Sequence, residues 1–280
     1  MKKFIAIMLL FMLAGITGCK EQPQDLERIN DQIDAFIETY ASTYVNVTSQ
    51  DFYVARALGL LEQYGYDVKL SDYLTKTDMQ SLYESKEYSG LGDIFKALII
   101  ADLYEEEPAS AKTALEAISS VETWNHVYGF IALEKTGVNN TLKQEVLSQM
   151  LVRTENDFRD ADFAGMALMA TAHLDINRSL FLGLIEDAVT EDGIASSWSG
   201  ANASSTAMAI LGYLAIDEDP RTILSIDLVS VLLEYFVEGA AKNTLADTEV
   251  DLLFATPQAF SALVAYKIAV EKNVVVNLFA

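Results

Sequence analysis

An all-α fold is predicted by three features of the sequence. Stripes of small and apolar residues recur at helical spacing along most of the chain, and more ordinary amphipathic segments lie between them. The clearest stripe follows Asn202, where a polar start runs into Ala207-Met-Ala-Ile-Leu-Gly-Tyr-Leu214. Alternation of apolar and polar residues between turns is missing, except at Val274-Val-Val276, which fits a strand or a tail.

In chain order, residues 26–44 carry Ile29, Ile33, Phe36, Ile37 and Tyr40 on one helix face. Six stripes follow. They are Val54-Ala57-Leu58-Leu61, Ile94-Ala97-Leu98-Ala101, Val127-Phe130-Ile131, Phe163-Met166-Ala167-Ala170, Ala207-Ile210-Leu211-Leu214 and Ala259-Ala262-Leu263-Tyr266. Their starts lie roughly 33 to 52 residues apart, the length of a helix pair with its loops. The second helix of each pair is expected at 109–118, 141–151, 179–189 and 222–237. Asp219-Pro220 and Thr256-Pro257 each set a capping oxygen before a proline at a helix start, and Gly137-Val-Asn-Asn140 closes one helix and opens the next.

The N-terminus supplies an address. Lys2 and Lys3 precede an apolar run from Phe4 to Ala14, too short to span a bilayer comfortably, and then small residues lead to Cys19. Ile16-Thr-Gly-Cys19 resembles the lipobox of bacterial lipoproteins, which implies cleavage after residue 18 and diacylation of Cys19. The expected division is a signal peptide over 1–18, a lipidated Cys19 with a polar tether over 19–25, and a helical domain over 26–280. The product would be extracytoplasmic and anchored to the bacterial cell membrane by lipid. Cys19 is the one cysteine, so no disulfide is expected and stability must come from packing.

Charge narrows the partners. The chain has 41 acidic and 19 basic residues and a formal net charge of −22, more negative still once Lys2 and Lys3 leave with the leader. Such a surface repels phosphate, which excludes nucleic acid as an expected partner and leaves membrane attachment to the acyl chains. No Asp-x-Asp-x-Asp-Gly loop of the calcium type occurs, and the acidic surplus reads as a solvated shell. No cofactor or metal is expected.

Three segments carry a resemblance. Asp160-Ala-Asp-Phe-Ala-Gly-Met-Ala-Leu168, the stretch from Asn202 to Leu214, and Ala255-Thr-Pro-Gln-Ala-Phe-Ser-Ala-Leu-Val-Ala-Tyr266 resemble successive repeats of the α/α-toroid superfamily. That fold is shared by terpene cyclases of the squalene cyclase kind, protein prenyltransferase β subunits and cobalamin carriers. The likeness is nearest to bacterial cell-surface proteins with prenyltransferase-like repeats, and runs from about Asp51 to Lys272. It implies an α/α toroid: an inner ring of helices within an outer ring, with a mouth where the inner helices begin.

On that geometry Trp124, Tyr128, Asp160, Asp162, Trp198, Asn202 and Thr256 gather near the mouth and form the candidate ligand site. Each also has a simpler role. Asp160, Asp162, Asn202 and Thr256 suit helix capping, and the tryptophans suit packing. Tyr128, Met166, Met208 and Phe260 would either line an open centre or fill it.

Three chemistries can be weighed. Asp160-Ala-Asp162-Phe163 is similar to the Asp-x-Asp-Asp motif of protonating cyclases, with Asp162 in the place of the general acid, but Phe163 stands where the motif has an aspartate. Prenyl transfer on this fold uses zinc held by Asp, Cys and His, and lipidation would consume the single thiol. A serine hydrolase would have to use His126 or His173, and neither lies near a nucleophile elbow. The resulting expectation is a binding or interaction module, taking a small molecule, peptide, glycan or surface protein at the mouth. A cyclase-like enzyme using Asp162 and a purely structural scaffold are the alternatives.

Overall fold

A computed structural model describes residues 25–83, 86–153 and 159–280. Cys19, the leader and most of the tether lie outside these residues. The described chain is mainly helical, as the spacing of apolar residues predicts, with two small antiparallel sheets.

Six helices are buried on nearly every face: α3 (Phe52–Gln63), α5 (Leu91–Asp102), α7 (His126–Thr136), α9 (Ala161–Thr171), α11 (Ala203–Ala215) and α13 (Ala255–Lys272). These are the six small-residue stripes. The others bury a single stripe, as expected of helices with one face to water. Leu26, Ile29, Ile33 and Phe36 do so on α1 (Leu26–Thr39), Leu142, Val146 and Met150 on α8 (Asn140–Met150), and Phe181, Leu184 and Ile185 on α10 (Ser179–Glu186). Short helices α2 (Ala41–Tyr44), α4 (Lys76–Tyr83), α6 (Ala109–Glu116) and α12 (Leu228–Glu234) complete the set among the described residues. Each core helix packs on the next, α3 on α5, then α7, α9, α11 and α13, and α13 packs again on α3. The flanking helices pack on their partners, α6 on α5, α8 on α7, α10 on α9, α12 on α11 and α1 on α13.

Close approach explains the small residues. A Cβ on Gly165 of α9 would lie 2.2 Å from the carbonyl oxygen of Met208 on α11, and one on Gly212 would lie 2.9 Å from the Cα of Gly165. The two backbones therefore touch, with no room for a side chain. Elsewhere the core is aromatic: Phe36 of α1 stacks on Phe260 of α13 at 3.8 Å between centroids, and Phe95 meets Phe52 and Phe279 edge-on.

Caps follow the sequence at several ends. Gly137 closes α7 in the left-handed region, and the Asn139 side chain accepts from the Leu142 amide to open α8. At three other boundaries the structure corrects the sequence reading. Residues 219–226 are not helical; Asp219 accepts from the Arg221 amide in a turn, and α12 starts only after Asp227, which accepts from Val229 and Ser230. α13 starts at Ala255, with Thr256 and Pro257 inside its first turn and the Asp251 carboxylate accepting from Leu253, Phe254 and Ala255. The first predicted helix is interrupted at Tyr40, where α1 ends and α2 begins.

The sheets are a further departure. α10 stops at Glu186, and β1 (Val189–Thr190), β2 (Gly193–Ser196) and β3 (Gly200–Ala201) form a meander, pairing Val189 with Ile194 and Ala195 with Ala201. β4 (Phe236–Val237) and β5 (Ala240–Ala241) form a hairpin after α12. Its turn, Glu238-Gly239, has positive φ at both residues (49° and 85°), the twist that matches a two-residue hairpin loop. Gly239 presses its backbone on α1, where a Cβ would sit 2.4 Å from the Phe36 nitrogen. Residues 274–276 form no strand. The tail they begin buries Val276, Leu278 and Phe279, the Asn277 side chain donates to the Met169 carbonyl, and buried Arg56 donates to the carbonyls of Leu278 and Ala280.

Candidate functional site

A cavity of about 410 Å³ opens at the end where α7 and α9 begin, lined by Thr123, Trp124, Val127, Tyr128, Arg159, Phe163, Met166 and Trp198. Its walls are almost wholly aromatic or apolar, within the size range of small-molecule sites. Trp124 sits in the 3₁₀ turn Thr123–Asn125 ahead of α7, and Trp198 at the tip of the β2–β3 hairpin. They are 73% and 85% exposed, so neither packs in the core, and no other tryptophan exists in the chain.

The Trp198 hairpin is fixed by hydrogen bonds at its base. Ser196 Oγ accepts from the amides of Trp198 and Ser199, and Ser197 Oγ donates to Asp160 Oδ2 at 3.1 Å. The other oxygen of Asp160 caps α9, accepting from the amides of Asp162 and Phe163 at 3.2 and 3.4 Å. One carboxylate thus does the capping expected of it and also ties the hairpin to the helix that supplies Phe163 and Met166. Arg159 forms a side wall. Its guanidinium donates to the carbonyls of Gln149, Met150 and Val152 at the end of α8, and its carbon lies 5.2 Å from the Phe163 ring centroid.

Asp162 lies one helical turn from Met166 on the same face of α9, and interacts electrostatically with Tyr128 and with Tyr53 of α3. Its Oδ1 is buried without a hydrogen-bond partner in the protein. Burial pushes its carboxyl up to about 6; a hydrogen bond from Ser205 opposes the shift, and the Asp160 charge adds to it. Burial likewise raises the Tyr128 and Tyr53 hydroxyls. Tyr53 Oη donates to Met208 Sδ at 3.5 Å, and Phe95 and Phe279 are buried edge-on to each other. Of the four residues able to line or fill a centre, Tyr128 and Met166 line the cavity, Met208 is buried against Tyr53, and Phe260 stacks on Phe36 of α1.

Asn202 and Thr256 do not line it. Asn202 is buried and caps α11, its Oδ1 accepting from the Ser205 amide at 2.8 Å while Nδ2 donates to the Gly200 carbonyl and Ser205 Oγ. Asn202→Ala is expected to cost about 2 kcal/mol through the lost cap and the orphaned Ser205 amide, read as a lower urea midpoint with an unchanged m-value. Thr256 Oγ1 accepts from the Ala241 amide and donates to the Ala241 carbonyl, holding the second hairpin against α13. His126 is buried at the start of α7, and exposed His173 lies 3.2 Å from Glu134. Among the described residues, no group of His, Cys, Asp and Glu is arranged to hold a metal ion, and no helix is long and apolar enough to cross a membrane.

Sequence reasoning does not select Phe163, Arg159, Thr123 or Val127. Phe163 stands out in the sequence as a stripe residue and a departure from an acidic motif, whereas in the structure it brings a ring to the cavity at the start of α9. A larger groove, about 1010 Å³, runs past the ends of α11 and α13, between 217–222 and 269–275. Its one arginine, Arg221, is held by Asp25 at 3.0 Å and Asp227 at 2.7 Å, and its rim is charged. Aromatic surface and three of the sequence-selected residues, Trp124, Tyr128 and Trp198, meet at the smaller cavity.

No family model matches this chain, and neither a curated protein nor a solved structure is significantly similar to it.

Proposed function

We propose that this protein is a lipid-anchored, extracytoplasmic binding module of the α/α-toroid type, holding a small ligand at the mouth of the ring. The observation that carries the reading is the meeting of Trp124, Trp198, Tyr128 and Phe163 around one cavity. Exposed tryptophans cost solubility and contribute little to the fold, so two of them on one rim suit contact with something else. The toroid is supported by the order of helix contacts from α3 through α13 and back to α3, with single-faced helices packed outside. Anchoring rests on the lipobox-like sequence ending at Cys19.

A second reading, a cyclase-like enzyme with Asp162 as general acid, is favoured by its buried carboxyl, whose Oδ1 has no hydrogen-bond partner in the protein, and by its raised pKa. Against it, Phe163 replaces the aspartate that would sharpen that acid.

Native mass spectra of the full-length gene product, taken from a bacterial envelope in mild detergent, test the proposal. Two additions to the polypeptide are expected: acyl chains that survive denaturation, on a chain beginning at Cys19, and a small molecule that does not survive it. A chain without acyl groups overturns the anchor. A clean mass after incubation with envelope extract overturns the ligand site in favour of a scaffold, and conversion of an added compound favours the enzyme.

A further inference from the structure

We infer that the mouth cavity takes a small organic cation with an apolar shell, of the quaternary ammonium class. The inference rests on the binding-module reading above and specifies its ligand. A ring face carries negative electrostatic potential, and several faces around one cavity attract a cation whose charge is spread over methyl groups and needs no hydrogen bonds. Two tryptophans and a tyrosine bring aromatic surface to the cavity, and the Phe163 ring, whose centroid lies 5.2 Å from the Arg159 guanidinium carbon, completes the wall.

The wall offers little to the alternatives. A sugar or peptide requires paired donors and acceptors, and besides Arg159 the lining offers only the Thr123 and Tyr128 hydroxyls and the two indole N–H donors. An anion would look to Arg159, whose guanidinium already donates to three carbonyls at the end of α8, where the helix dipole offsets its charge. Two acidic groups stand near. Asp160 lies behind the Trp198 hairpin, Asp162 lies beside Tyr128 with one oxygen unpartnered, and the whole chain carries −22. That field draws cations to the opening and disfavours anions.

Tryptophan emission tests this directly, since both tryptophans are on the rim. The full-length protein in detergent is titrated with choline and with 3,3-dimethylbutan-1-ol, the neutral isostere in which carbon replaces the charged nitrogen; sodium chloride serves as control. A saturable change with choline is expected, at an affinity about tenfold above that for the isostere, and sodium is expected to give none. Trp198→Ala, checked for folding by circular dichroism, is expected to lose most of that affinity while Trp124 still reports. Equal affinity for the two isosteres overturns the charge inference and leaves an apolar ligand site standing. A matching response to sodium, or no saturable response to choline, overturns the inference outright; the mass spectra judge the binding module separately.

Discussion

Asp162→Asn is expected to make the protein more stable at pH 8, by about 1 to 3 kcal/mol, and to leave it nearly unchanged at pH 4. The carboxyl is buried on α9 with Oδ1 unpartnered, so the fold disfavours its charged form and lifts it from the ordinary 3.8 to about 6. Between those values the folded state holds a proton that the unfolded chain has released. Stability therefore falls as pH rises from about 4 to about 6 and then stays low, and keeping the carboxylate ionised in the fold costs roughly 3 kcal/mol. Asparagine keeps the shape and removes the charge. Leaving an amide hydrogen without a partner offsets part of the gain. Urea unfolding of both proteins across this pH range is the measurement; equal stability at pH 8, or an unchanged slope between pH 4 and 6 in the variant, refutes the account.

Gly165→Ala is expected to destabilise by about 3 kcal/mol or more, enough to threaten folding. The added methyl would stand 2.2 Å from the Met208 carbonyl oxygen and 2.6 Å from its carbon, both backbone atoms, so α9 and α11 must separate. Moving them disturbs a contact that runs the length of both helices, including the Gly212 backbone one turn beyond Met208. Gly183→Ala is the counterpart. Gly183 lies within α10 with nothing near its missing Cβ, and there the same substitution is expected to gain up to about 1 kcal/mol from helix propensity alone. Urea midpoints of opposite sign for the two variants are predicted, and an unshifted midpoint for Gly165→Ala would mean the helices are not in backbone contact.

Close packing of this kind is what makes the fold class readable. Glycine and alanine at helical spacing on α9, α11 and α13 mark helices buried on all sides, whereas α8 and α10 show the single stripe of a half-exposed helix. The caps at Asp160, Asn202 and Asn139 are legible because short polar side chains before an apolar run have few other uses. The strands are not. Two to four residues contain at most one alternation, so in the sequence 189–201 and 236–241 merge with the ends of neighbouring helices. Thr256 and Asp219 mislead for a related reason: each precedes a proline, but at Thr256 the amides are served by Asp251, five residues earlier, and after Asp219 the chain turns instead of starting a helix. The site is half legible. Trp124 and Tyr128 stand at the start of α7, but only the folded hairpin discloses that Trp198 lines the same cavity as Phe163 and Arg159.

The two oxygens of Asp160 give that hairpin a mechanical property. Because one side chain both latches the loop through Ser197 and terminates α9 through the amides of Asp162 and Phe163, displacement of the loop loads the helix end directly. The hairpin tip beside Trp198 and the first turn of α9, which carries Asp162 and Phe163, thus share a single anchor, the Asp160 carboxylate.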